Sequence, residues 1–181
     1  MNFELSEEQK MIQQNVERFV QENYDLPKRV ELSSQDPGYS KDYWNSMAEL
    51  GWLGLPFNEE DGGFGGNQID TLVIMEQFGK GLVLEPFLAN VVLGGGAIQM
   101  GGSEELKNEM LSSLIEGSKQ FTLAYAEQQS RFDLEDVATS ARKEGEKYII
   151  NGQKSMVLNA ESADHLVVVT RTNGGQVDEE G

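Results

Sequence analysis

The sequence predicts an α+β fold with its two kinds of structure segregated. An N-terminal all-α helical domain over residues 1–120 is followed by an incomplete antiparallel β-domain over 121–181. Three observations carry this. Apolar residues recur at helical spacing through the first part of the chain, and from Phe121 the spacing shortens to strand-like runs. The strand-like runs follow the helices instead of alternating with them, which argues against a βαβ arrangement. With 38% hydrophobic residues in 181, the chain has an ordinary globular core.

The helices come first. Ser6 followed by Gln9 is a capping box, and Met11, Ile12, Val16, Phe19 and Val20 then share one helical face up to Tyr24. A polar loop follows through Asp36-Pro37-Gly38, and Ser40 caps a second helix carrying Tyr43, Trp44, Met47 and Leu50, with Gly51 as its stop. Residues 52–57 form an apolar connector. In the glycine-rich, acidic stretch 58–66 a phosphate cradle is disfavoured, because no strand leads in, no GK[ST] follows and three carboxylates stand where phosphate would come. It reads instead as a flexible loop anchored to the core by Phe64.

Ile69, Leu72, Val73, Met75 and Phe78 mark a third helix, with Glu76 as a charge capable of facing inward. Pro86 opens a fourth, expected to run through Leu93 and across Gly94-Gly95-Gly96 to Met100. The run GGGAIQMG lacks both the spacing and the leading strand of a dinucleotide fingerprint. Ser103 caps a fifth helix with Leu106, Met110, Leu111, Leu114 and Ile115 as its stripe, and Gly117 ends it. Strands are expected at 121–125, 137–143, 147–151, 154–159 and 165–172, with turns at Glu144-Gly145-Glu146 and, as a type I′ hairpin, at Asn151-Gly152.

Charge and composition exclude several classes. A net charge of −17, from 31 acidic and 14 basic residues, opposes binding to a phosphate backbone, so nucleic acid is not an expected partner. The absence of cysteine removes thiol nucleophiles, disulfides and thiolate metal sites. One histidine, His165, at the start of a predicted strand and with no G-x-S-x-G in the chain, reads as a sheet residue and not as part of a triad. The scattered carboxylates follow no EF-hand pattern, so no metal site is expected. The start of the chain lacks the order of a secretory signal, and no run approaches the roughly 20 apolar residues of a membrane span. Cytoplasmic localisation is the default expectation. From pattern and spacing alone no reaction follows.

The order of several segments resembles the acyl-CoA dehydrogenase family: LSEEQKMIQQNVERFV, ELGWLGLPFNEEDGG, LAYAEQQSRFD, EKYIINGQK and VLNAESADHLVVVTRT. The resemblance covers the whole chain. It implies a helical domain, a middle β-domain and a second helical domain, with FAD oxidising the Cα–Cβ bond of an acyl-CoA thioester. It also implies an electron-transfer flavoprotein as acceptor. The family's carboxylate base lies in the second helical domain, so no catalytic residue is expected within these 181. A sheet ending at residues 173–181 would have open edges, so the chain alone is expected to associate or to expose apolar surface.

In the family a T-E-P-x-x-G-S-D segment and a W-I-T segment line the flavin. Here Ala126 stands at the threonine, Gln128 at the proline, Arg131 at the glycine and Phe132 at the serine, while Glu127 and Asp133 remain. Met156 and Leu158 stand at the tryptophan and the second threonine. The resemblance therefore assigns Tyr125, Ala126, Arg131, Phe132, Met156 and Leu158 to the flavin edge. Backbone amides at Tyr125 and Ala126 remain available to a flavin, and Arg131 offers a charge to a phosphate oxygen. The segment AEQQSRFDLEDVAT is similar to the small subunit of heteromeric enzymes of the pimeloyl-CoA dehydrogenase type, which pairs with a large subunit carrying an intact site. The competing readings are a homo-oligomeric acyl-CoA dehydrogenase and a non-catalytic scaffold subunit.

Overall fold

The computed structural model describes residues 4–181, so Met1, Asn2 and Phe3, on which the reading of the N-terminus partly rests, lie outside the described residues. The first helix, α1 (Glu7–Asn23), starts at the expected capping box: Ser6 Oγ accepts the Gln9 amide at 3.1 Å and Gln9 Oε1 accepts the Ser6 amide at 3.0 Å. Val16 and Val20 are buried from its apolar face, but Met11 is exposed. A short helix, α2 (Leu26–Ser33), occupies part of what reads as a polar loop; Asp25 caps it and Pro27 stands in its first turn. Its eight residues bury one side chain, Leu32, too few to set a period. Helix α3 (Lys41–Glu49) is capped by Ser40 as expected. It ends where Gly51, at φ 78°, lets the Trp52 amide reach the Met47 carbonyl and its own amide reach Ala48.

The loop 58–66 is held by backbone hydrogen bonds, from Gly63 to Asn58, Gly65 to Phe57 and Gly66 to Leu55. That differs from the flexible loop expected. The Phe64 ring lies over Gly51 and Gly54, where any Cβ would come within 3.1 Å of it. Helix α4 (Gln68–Gly81) has its own capping box, Asn67 with Asp70, and Gln9 Nε2 donates to Asp70 Oδ1 at 2.9 Å, so the two caps lock the N-termini of α1 and α4 together. Glu76 is exposed and paired with Lys80 on the same helix, an ordinary surface ion pair. Edge-to-face contacts run from Tyr43 through Phe19, Trp52 and Phe78 to Phe87, stitching α1, α3 and α4 to the next segment.

That next segment is not the single α-helix expected. Leu88–Gly95 is π-helical and α5 (Gly96–Gly101) continues from it. The glycines carry little α preference and permit close packing on two sides. A Cβ on Gly94 would lie 2.9 Å from the Phe121 backbone, and one on Gly95 would meet Phe57 and Leu114. Helix α6 (Glu104–Ile115), capped by Ser103, completes the helical part.

The strands are β1 (Phe121–Ala124), β2 (Ser140–Glu144), β3 (Lys147–Asn151) and β4 (His165–Val168). The antiparallel expectation holds for β2 and β3, joined at the expected Gly145 turn. It does not hold for β1 and β4, which pair in parallel with Phe121 opposite His165. The reason is the strap 154–158, which lies along β1 in the antiparallel direction: the Ser155 amide donates to Ala126 O at 2.9 Å, and Thr122 Oγ1 to Leu158 O at 2.6 Å. The chain then turns and restarts at the beginning of β1. Since the strap makes only one such backbone bond, no strand forms at 154–159, and Asn151-Gly152 leads into the strap instead of turning a hairpin. An isolated parallel bridge from Ser140 to Arg171 ties the hairpin to the chain beyond β4.

Gln120 joins the two parts. Its amide donates to Asp164 Oδ2 at 2.9 Å and its carbonyl accepts from the Asp164 and His165 amides. Its side chain donates to the Tyr39 hydroxyl at 2.6 Å and accepts from Asn159 Nδ2 at 2.8 Å. All four of its polar groups are satisfied although the residue is buried.

Candidate functional site

The site is built on the end of β1 and the loop after it. The Glu127 carboxylate, 3% exposed, is the organiser. Its Oε1 accepts from the Thr139 amide at 3.0 Å and pairs with Lys154 Nζ at 2.7 Å; its Oε2 accepts from the Ala138 amide at 2.9 Å and from Gln129 Nε2 at 2.7 Å. Burial by itself would raise this carboxyl, but the hydrogen bonds from Lys154, Gln129 and Thr139 outweigh it and hold the group well below the usual carboxylate range. Glu127 thus clamps three segments: its own loop, residues 138–139 and the strap. Lys154 also donates to the Tyr125 carbonyl at 3.2 Å, which draws the strap against the end of β1.

Ser130 closes the loop by donating to the Glu127 carbonyl and accepting its amide, and the Asp133 amide returns to the Ser130 carbonyl at 2.8 Å. The central residues of this turn are Arg131, with φ 50°, and Phe132, which is 99% exposed. In the strap, Met156 has φ 53° and is 86% exposed. Left-handed backbone at a residue other than glycine is strained, and it persists here because the flanking bonds determine the path.

The expected residues fall as follows. Tyr125 and Ala126 follow β1 directly, beside the strap, and the Ala126 and Leu158 carbonyls accept the strap bonds described above. Met156 and Leu158 lie on that strap. Arg131 and Tyr125 line a cavity of 440 Å³ with Leu93, Leu123 and Val169. Phe132 projects from the turn and lines no part of that cavity. The floor is the π-helical segment, whose buried Asn90 accepts the Phe121 amide at 2.8 Å through Oδ1. Asn90 and Lys154 were not singled out from sequence; the only signal for either was a polar residue within an apolar run or a strap. His165 stacks on Phe121 with centroids 5.1 Å apart, as a sheet residue does. Among the described residues no group of three His, Cys, Asp or Glu side chains gathers to hold a metal ion, and no helix is long and apolar enough to cross a membrane.

Comparison with known proteins agrees with this architecture. The family profile "Acyl-CoA dehydrogenase, N-terminal domain" matches residues 6–118 and "Acyl-CoA dehydrogenase, middle domain" matches 122–181. The chain belongs to the acyl-CoA dehydrogenase family. It is similar to a probable acyl-CoA dehydrogenase, YngJ, of Bacillus subtilis, at 33% identity over 180 residues, covering 98% of this chain and 47% of that protein. The fold is that of the ChsE4-ChsE5 complex from Mycobacterium tuberculosis, with TM-score 0.86, 23% identity, and 96% of this chain and 46% of that one covered. An FAD complex of PigA matches with TM-score 0.84 at 27% identity, covering 97% of this chain and 46% of that one. The chain therefore spans about half the length of the curated relatives it matches.

Set against an FAD, the residues present fit in the backbone and not in the side chains. The strap and the end of β1 are held side by side, but positions 126 and 158 carry no hydroxyl, and Phe132 and Met156 stand out in solvent. Two hydrogen bonds left unmade to buried polar atoms of a ring would cost on the order of 1–3 kcal/mol each.

Proposed function

We propose that this chain, with a helical domain at 1–120 and a middle β-domain at 121–181, is the corresponding part of the small subunit of a heteromeric, FAD-dependent acyl-CoA dehydrogenase. The assembly oxidises the Cα–Cβ bond of an acyl-CoA thioester in fatty-acid metabolism in the cytoplasm, and an electron-transfer flavoprotein accepts the electrons. The flavin is held chiefly by the large subunit, and this subunit supplies the frame of Tyr125, Ala126, Arg131, Phe132, Met156 and Leu158 with an altered side-chain complement. No residue among the 181 is given the role of catalytic base.

The observation that carries this reading is the pairing of an intact frame with altered contacts. Glu127 and Lys154 hold the loop and the strap in register at 2.7 Å, yet the two positions so presented, Ala126 and Leu158, offer no side-chain donor. Selection for flavin binding on this chain alone does not account for that combination. The test is purification of this subunit with and without its large partner, followed by flavin absorbance. Flavin is expected only in the assembly, and stoichiometric FAD on the isolated subunit overturns the reading.

A further inference from the structure

Glu85 is a buried carboxyl, 6% exposed, at which three parts of the helical body meet. From the end of α1 the Tyr24 hydroxyl donates to its Oε2, and from the N-cap of α3 the Ser40 amide donates to its Oε1 at 3.1 Å. Its own carbonyl accepts the Phe87 amide at 2.8 Å, just before the π-helical segment. The charges on the neighbouring elements do not neutralise it. On α2, Asp25 accepts the Lys28 amide, Lys28 pairs with Glu31, and Arg29 Nε donates to the Leu82 carbonyl at 2.8 Å. Lys80, in the last turn of α4, pairs with Glu76. Asp36 in the loop and Lys41, Asp42 and Tyr43 on α3 border a recess of 410 Å³ that reaches Ser40, and the π-helical segment carries no titratable side chain. Among the described residues no ion pair includes Glu85. Burial is opposed here by hydrogen bonds alone, and it raises the carboxyl from 4.5 to about 7.

Residues 35–39 run from α2 to this point and touch the β-part on the way. The Tyr39 hydroxyl, raised by burial and so neutral in this range, accepts Gln120 Nε2 at 2.6 Å, next in sequence to the Ser40 amide that Glu85 holds. We propose that Glu85 is a proton-operated latch: protonated, it holds Ser40 and keeps residues 35–39 closed on the helical body, and ionised, it releases them and slackens the Tyr39–Gln120 link to the β-part. A carboxylic acid satisfies both partners, accepting the Ser40 amide and sharing one hydroxyl hydrogen bond with Tyr24. A carboxylate accepts the same bonds but stays dehydrated, a cost that opening removes. The recess already brings solvent to Ser40, so moving that residue aside is the short route to hydrating the charge. Because the closed state raises this carboxyl, closure is strongest below pH 4.5 and weakens as pH rises through about 7. The latch is built from this chain's own residues and does not depend on which subunit holds the flavin.

The experiment is native-state hydrogen exchange on the full chain between pH 5 and 8, corrected for intrinsic rates, with the amides of α6 as the reference for global opening. The Ser40 amide should open more often than those of α6, and its opening should rise roughly twentyfold to two-hundredfold across that range. The Gln120 side-chain amide should lose protection in step with it. Glu85→Gln keeps the shape and cannot ionise, so both groups should then be indifferent to pH. Carbon-13 NMR of the unaltered chain reads the carboxyl with no substitution, and Glu85 should titrate near 7. Ser40 protection equal to that of α6 at every pH means global unfolding and overturns the latch. A rise with pH that survives in Glu85→Gln, a Gln120 amide that does not follow Ser40, or a Glu85 carboxyl titrating in the ordinary carboxylate range overturns it equally.

Discussion

Replacing Glu127 by glutamine should release the loop and the strap that define the site, although the two side chains have the same shape. All four partners of the carboxylate are donors: the Thr139 amide and Lys154 on one oxygen, the Ala138 amide and Gln129 on the other. Whichever way the new amide turns, its NH₂ faces two donors, and two hydrogen bonds are lost. Lys154, 7% exposed, is left as a buried cation without a counter-charge. Breaking one side of a buried pair costs about 3–5 kcal/mol, so local opening should become more frequent by between about a hundredfold and a few thousandfold. Native-state hydrogen exchange at pH 7 reads this at the Ala138 and Thr139 amides, which the carboxylate covers directly. Lys154→Met, which leaves three donors on a still-charged carboxylate, should raise exchange less. Because the folded state depresses this carboxyl, its contribution is present above the ordinary carboxylate range and is lost only as pH falls toward the folded value. Protection should therefore be flat between pH 7 and 5 once intrinsic rates are removed. Unchanged exchange of both amides in Glu127→Gln would refute the clamp.

Three further outcomes follow from the same geometry. Glu85 is buried between the Tyr24 hydroxyl and the Ser40 amide, and burial, only partly offset by backbone hydrogen bonds, raises its carboxyl from 4.5 to about 7. Its stabilising contribution is thus full below pH 4.5 and lost as pH rises through about 7, a change of about 3 kcal/mol; Glu85→Gln should gain on the unaltered protein by that order between pH 4.5 and 8 in urea melts, and parallel profiles would disprove the burial argument. Gln120→Ala leaves Tyr39 and Asn159 without their shared partner and should lower stability by about 2–3 kcal/mol, read as a shift in urea midpoint at constant slope. Restoring hydroxyls with Ala126→Thr and Leu158→Thr together should raise flavin affinity of the isolated chain by about tenfold or more, measured by quenching of flavin fluorescence; no change would place the deficit elsewhere.

Much of the helical part was legible because its signals act over three or four residues. The caps at Ser6, Ser40 and Ser103 and the stops at Gly51 and Gly117 are each local exchanges between a side chain or a flexible backbone and the nearest turn. Helix α2 escaped because its period is too short to read, and the π-helical turn because it answers to Phe121, a residue outside its own segment. In the β-part the composition announced strands at β2 and β3, whose hairpin needs only the Gly145 turn. It also suggested one at 154–159, where the chain instead hangs on Lys154, Ser155 and the Leu158 carbonyl.

The family was thus determined by the sequence alone, since ordered segments can be read one position at a time. What only the tertiary structure decided was which groups meet. Gln9 and Asp70 are 61 residues apart, and Glu127 and Lys154 are 27 apart. Glu127, read from sequence as a remnant of a flavin motif, proves to be the clamp of the loop and the strap. Such pairings depend on how whole elements pack, because a buried charge is tolerable only where folding brings its partners to it, and no local pattern records that arrival.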